Sequence, residues 1–236
     1  MALQARDGVE VAMKSRCGFA AISVAILLTA CANTPPPPDW QMNAKDSLDR
    51  AVAAYLQGNT RVEAVEFTRA RADLARTGRA DLLARAELTR CAARVASLVY
   101  EPCAGFAALA QDASPAERAY ADYLSGNIDV KAAALLPEQH RGVATASTPA
   151  AALAGIADPL ARLIAAGVLM QGARAEPAVM VLAADTASAQ GWSRPLLAWL
   201  NVQVLRAEAA GEADEVARLR RRIGLVLGAP AVRAAP

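Results

Sequence analysis

From about residue 42 onward, apolar residues recur at helical spacing and are interrupted at short intervals by Gly, Pro or Asp. This punctuation constrains the fold more than any other feature of the chain. Pro159, Pro177 and Pro195 each fall where a helix would begin, and there a missing N–H costs nothing. Ser114-Pro115-Ala116-Glu117 reads as a helix start, with Ser as N-cap, Pro at N1 and Glu at N3. Gly58 reads as the left-handed residue that closes the helix before it. Hydrophobic residues make up 55% of the chain but aromatics only 4%, and Ala dominates, which favours helix over strand. The expected class is therefore all-α, built of stacked antiparallel helical hairpins.

The spacing predicts helices over 43–57, 60–77, 79–100, 114–125, 129–136, from 148 onward, and over 158–171, 175–189, 193–210 and 212–227. In the second, Val62, Val65, Ala70 and Leu74 lie near one side, opposite Arg61, Arg69 and Arg76. In the third, Leu88, Cys91, Val95 and Leu98 or Val99 form the stripe, and Pro102 ends it. Residues 137–147, which include Gln139, His140 and Arg141, show no stripe and read as a loop. The helical domain is expected over 42–228, with a fraying tail at 229–236.

The first segment has a different character. Lys14 and Arg16 precede an uncharged run from Gly18 to Leu28, too short for a permanent membrane span. It ends in Leu28-Thr29-Ala30-Cys31, which resembles the lipobox of bacterial lipoproteins: an aliphatic residue, two small ones and a cysteine. The resemblance implies a signal peptide over 1–30, with Met13 the expected start, cleavage before Cys31 and acylation of its thiol. Cys17 would leave with the signal peptide. Ala32 follows the cysteine, which by the same resemblance implies the outer membrane facing the periplasm rather than retention at the inner membrane. Residues 31–41 contain Pro35 to Pro38 and read as a stiff extended tether.

One pattern recurs. Ala53-Ala54-Tyr55-Leu56-Gln57-Gly58-Asn59 returns 68 residues later as Ala121-Asp122-Tyr123-Leu124-Ser125-Gly126-Asn127. That offset is twice the 34-residue period of tetratricopeptide repeats, and the helix–turn–helix it describes resembles one. The resemblance implies a tetratricopeptide-like array; the other reading is that Gly-Asn is merely a common helix ending.

Apart from the lipidation site Cys31, Cys91 and Cys103 are the cysteines expected to be left after export. An oxidising compartment favours a bridge between them; two buried free thiols are the other reading. No zinc or redox spacing is present, and no cofactor or metal is expected. The lone histidine, His140, is expected to be solvated, and no G-x-S-x-G, H-E-x-x-H, Walker A or G-x-G-x-x-G motif occurs. Acidic residues such as Glu63, Glu66, Asp73, Glu212 and Glu215 read as solvated helix faces.

Two features suggest a partner surface. Trp192 and Trp199, seven residues apart, suit either core packing or a binding groove. Arg218, Arg220, Arg221 and Arg222 lie opposite the stripe Val216, Leu219, Ile223, Val226 and Leu227, and would face anionic lipid, an acidic partner or simply water. A net charge of +2 gives no reason to expect nucleic acid. The chain therefore reads as a non-enzymatic lipoprotein, held to the bilayer through Cys31, that scaffolds another envelope protein. The alternative is a peptidoglycan-directed hydrolase or its accessory subunit. A third, minor reading is a lipoprotein with a small-molecule pocket. A deep pocket lined by carboxylates would favour the hydrolase, and a wide apolar groove rimmed by the tryptophans or arginines the scaffold.

Overall fold

The computed structural model describes residues 36–127 and 129–228, and every regular element among them is helical. The segment expected to be a signal peptide, Cys31 and the expected 229–236 tail lie outside the described residues. Helix α1 (Asp39–Leu56) begins directly after Pro38, a few residues earlier than read from the sequence. It packs along α2 (Thr60–Ala75) as a hairpin, and α3 (Ala80–Ala96) returns against both. A short α4 (Ala104–Ala107) and a 3-10 turn lead to α5 (Pro115–Leu124), which lies on α3. A 3-10 segment (Val130–Leu135), α6 (Glu138–Thr145) and α7 (Pro149–Ala154) then bring the chain to α8 (Pro159–Gln171). Helices α9 (Pro177–Ala189), α10 (Ser193–Ala209) and α11 (Ala213–Val226) each pack on the one before. No helix among the described residues is long and apolar enough to cross a membrane.

Local chemistry explains the boundaries. Ser114 Oγ accepts from Glu117 N–H at 3.2 Å while Glu117 returns to Ser114 N–H at 2.8 Å, the reciprocal cap expected there. Asp158 and Asn59 accept from Ala161 N–H at 2.6 Å and Val62 N–H at 3.2 Å. Gly58, at φ +86°, donates to Tyr55 O while Asn59 N–H reaches back to Ala54 O. Leu98 (φ +59°) and Ala173 (φ +53°) adopt the same left-handed ending without glycine. At Leu98 this ending stops α3 at Ala96, short of residue 100, and frees residues 97–103 to turn back.

The centre of the core is the contact between α3 and α8. Leu163, Ala165, Ala166, Val168 and Leu169 on α8 are fully buried. Gly167 sits so close to the Val95 carbonyl that a methyl group there would collide with it. Tyr100 Oη donates to Gly167 O at 3.0 Å across the same junction. Helix α10 closes on α1 at the far end: Arg194 Nε donates to Tyr55 O at 2.7 Å and Ser193 Oγ to Gln57 O at 2.9 Å.

Four expectations need correction. Residues 138–145 form helix α6, not a loop, because His140, Val143 and Ala144 make an inward stripe in which a neutral imidazole stands as an apolar member. His140 is only 1% exposed. Residues 130–135 form a 3-10 segment instead of an α-helix, with Val130 and Leu135 turned outward. The second copy of the repeat thus keeps its buried Tyr123-Leu124 and its left-handed Gly126, but no α-helical hairpin follows. On α2, Ala70 and Leu74 face inward as expected, but Val62 and Val65 are exposed and Glu63, Glu66 and Phe67 take the inner positions. Finally, Leu227 lies past the end of α11 and is exposed.

Candidate functional site

The glutamates that read as solvated are partly interior. Glu63, Glu66, Glu87 and Glu117 are all buried, and each is held by arginine from a neighbouring helix. Arg50 on α1 and Arg69 on α2 grip Glu66 at 2.9 and 2.7 Å. Arg90 Nε on α3 meets Glu63 Oε1 at 2.9 Å, Arg71 on α2 pairs with Glu87, and Arg85 Nε on α3 meets Glu117 at 2.8 Å. Each carboxylate leaves water only where a guanidinium stands to compensate its charge, and that guanidinium keeps one edge in solvent. The hydrogen bond from Arg50 holds the Glu66 carboxyl below its ordinary range. For Glu117, burial pushes the pKa upward, but Arg85 and the Ser114 cap outweigh it and the net shift is downward. Glu212 is exposed as expected, and Asp73 pairs with Arg76.

Cys91 in α3 and Cys103 at the head of α4 lie at disulfide-bonding distance, with Cα atoms 6.0 Å apart. Their pairing pulls residues 97–103 back across α3 and leaves a cleft of about 430 Å³ beneath. One side is Glu87, Arg90 and Arg94 on α3; the others are Tyr100 to Cys103, the end of α5 at Leu124, and Gln171 at the end of α8. The Glu87 carboxylate lies against Gly105, where a Cβ would displace it.

Arginine contacts dominate the cleft's electrostatics. Arg94 Nη2 lies 3.5 Å from Glu63 and its Nε 3.6 Å from Glu101. Its guanidinium stands 5.1 Å from the Tyr55 ring, while Arg194 covers that ring at 4.3 Å. Burial raises the Tyr55 pKa, and the two arginines oppose that shift without cancelling it. Arg90 lies 4.7 Å over Phe67. The cleft is thus a mixed one: two carboxylates, both facing arginines, beside an apolar wall. It is neither a carboxylate-lined pocket nor an apolar groove. Among the described residues no group of three or more His, Cys, Asp and Glu is arranged to hold a metal.

The residues singled out from sequence fall elsewhere. Trp199 is fully buried and donates through Nε1 to Ala96 O at 3.1 Å, and Trp192 is half-buried at the head of α10. Both belong to the core packing, which removes Trp199 as a groove residue. Arg218 forks onto Glu215 at 2.6 and 2.5 Å, Arg220 meets Glu208 at 2.5 Å, and Arg222 stands 3.8 Å from Asp185. With those partners the exposed side of α11 is no bare basic stripe; Arg221 is exposed on it. Glu87, Arg90, Arg94 and Glu101 drew no notice in the sequence, although the first three flank the Leu88–Val95 stripe at helical spacing. Compared with known proteins, the chain matches no family model, no curated protein and no solved structure.

Proposed function

We propose that this chain is an envelope lipoprotein, anchored in the outer membrane through acylated Cys31, whose helical domain serves as a non-enzymatic adaptor for another envelope protein. The observation that carries the reading is Leu28-Thr29-Ala30-Cys31 standing directly after an uncharged apolar run. The pairing geometry of Cys91 and Cys103 supports an oxidising compartment. In the cleft Glu87 is held by Arg71, which leaves Glu101 as the one loosely paired carboxylate where a glycosidase uses two, and this supports an adaptor over a peptidoglycan hydrolase.

With Trp199 interior, the exposed apolar residues of the last three helices, Val181, Leu205 and Leu225, are the positions at which to probe for a partner. Single exposed apolar residues are ordinary on any protein, so the test must be direct. A photo-reactive amino acid placed in turn at Val181, Leu205 and Leu225 in cells should give one discrete adduct with an envelope protein, absent from the Cys31→Ser form. Failure of all three positions to cross-link would overturn the adaptor reading.

A further inference from the structure

Most polar groups around the cleft beneath residues 97–103 tie one helix to another, but three are not used up in this way. Arg90 gives its Nε to Glu63, while its Nη1 and Nη2 meet no acceptor among the described residues. Gln171 Oε1 is the complementary case, an acceptor shut from solvent with no donor. Buried polar atoms of this kind are normally satisfied. Glu101 stands 3.6 Å from Arg94, beyond hydrogen-bond length, and its side chain is 64% exposed. So loose and wet a carboxylate is a weak partner for the guanidinium it faces. Around them the cleft offers an apolar wall of Val95, Leu124 and the Cys91–Cys103 pair, in a volume of about 430 Å³ that suits a small ligand.

We infer that this cleft binds a small carboxylate that also carries an N–H donor, the chemistry of an N-acylated amino acid or a short peptide with a free C-terminus. The ligand carboxylate takes the two Nη groups of Arg90 and the outer edge of Arg94, a planar, charge-assisted match that guanidinium makes well. Glu101 swings into solvent to make room. Gln171, whose Oε1 is shut from solvent while the cleft is empty, turns its amide toward the cleft to accept the ligand N–H, and the ligand's apolar groups lie on Val95 and Leu124. Charge is conserved in the exchange: Arg71, Arg90 and Arg94 face Glu63, Glu87 and Glu101 when the cleft is empty, and the ligand anion replaces the most exposed of the three acids. This binding is independent of the adaptor role.

The probe is acetyl-alanyl-alanine, titrated into the protein while the arginine Nε–Hε resonances are followed by nuclear magnetic resonance. Its C-terminal amide and inorganic phosphate are run beside it. The free acid should bind saturably, and the amide should bind about tenfold more weakly or less, the ordinary worth of a charge-assisted pair. Arg90→Gln should weaken the acid by a similar factor. Because Arg90 also holds Glu63, the more telling variant is Glu101→Gln. It removes an exposed competitor, leaves the fold untouched, and should tighten the acid about threefold, in line with a weak exposed pair. Absence of any shift at Arg90 or Arg94 with about 10 mM probe would overturn the proposal, since that bounds binding to weaker than roughly 3 kcal/mol. Phosphate binding as tightly as the dipeptide would overturn the N–H contact, and a Glu101→Gln variant no tighter than wild type would overturn the displacement.

Discussion

His140 should make the fold acid-sensitive between about pH 6.5 and about pH 4. Its imidazole is 1% exposed, with ring centroids 5.7 Å from Tyr120 and 5.2 Å from Tyr123, and its Nδ1 has no partner. Burial pushes its pKa down to about 4, and Asp158 opposes that shift only in part. In the unfolded chain the group titrates near 6.5. Between those values the unfolded state binds the proton and the folded state does not, so stability rises with pH across the window and is lost on acidification. At about 1.36 kcal/mol per pH decade the whole gap is worth about 3 kcal/mol, of which about 2 kcal/mol falls between pH 7.5 and 5.0. The chain has one histidine. Glu66 and Glu117, whose pKa values are lowered in the fold, contribute stability that is lost only as pH falls below their ordinary range, so they act at lower pH. Urea unfolding of the mature chain carrying Cys31→Ser, at pH 7.5 and 5.0, measures the difference directly. His140→Phe keeps a ring in the Tyr120–Tyr123 stack and should lose most of the pH dependence. Equal losses in wild type and variant would refute the account of His140 as a neutral core residue.

Other perturbations test the packing. Gly167→Ala should cost about 1–3 kcal/mol by driving a methyl into the Val95 carbonyl, read as a lowered urea midpoint. Ala173→Gly relieves a left-handed residue at an exposed site and should stabilise by up to about 1 kcal/mol in the same assay; a loss would mean the backbone is not held as described. Replacing Cys91 and Cys103 together by serine should cost about 3 kcal/mol, the loop-closure value for a bridge of this span. The melting temperature of that variant should then be indifferent to reductant, while that of the wild type falls.

The parts of the fold legible in the sequence are those that local chemistry decides. Ser114 and Glu117 cap their helix through groups three residues apart, and Gly58 ends one through its own φ, so these boundaries needed no knowledge of the rest of the chain. The inward face of α2 is different. Val62 and Val65 look like core residues until Arg50 from α1 and Arg90 from α3 arrive, and those guanidiniums draw Glu66 and Glu63 inward instead. His140 follows the same rule: its polarity in water says little once Tyr120 and Tyr123 enclose it. The cleft was illegible because its walls come from distant stretches. Gln171 on α8 meets residues near Arg90 and Tyr100 only through the contact of Gly167 with Val95, and residues 97–103 roof it only because Leu98 ends α3 early.

The lipid anchor is the central claim, and the intact mass of the protein purified from membranes tests it most directly. The account predicts a chain that begins at Cys31 and carries the added mass of acyl groups on its first residue, with both modifications lost in Cys31→Ser. A chain recovered from the soluble fraction, or one whose first residue is not Cys31 and bears no lipid, would contradict it.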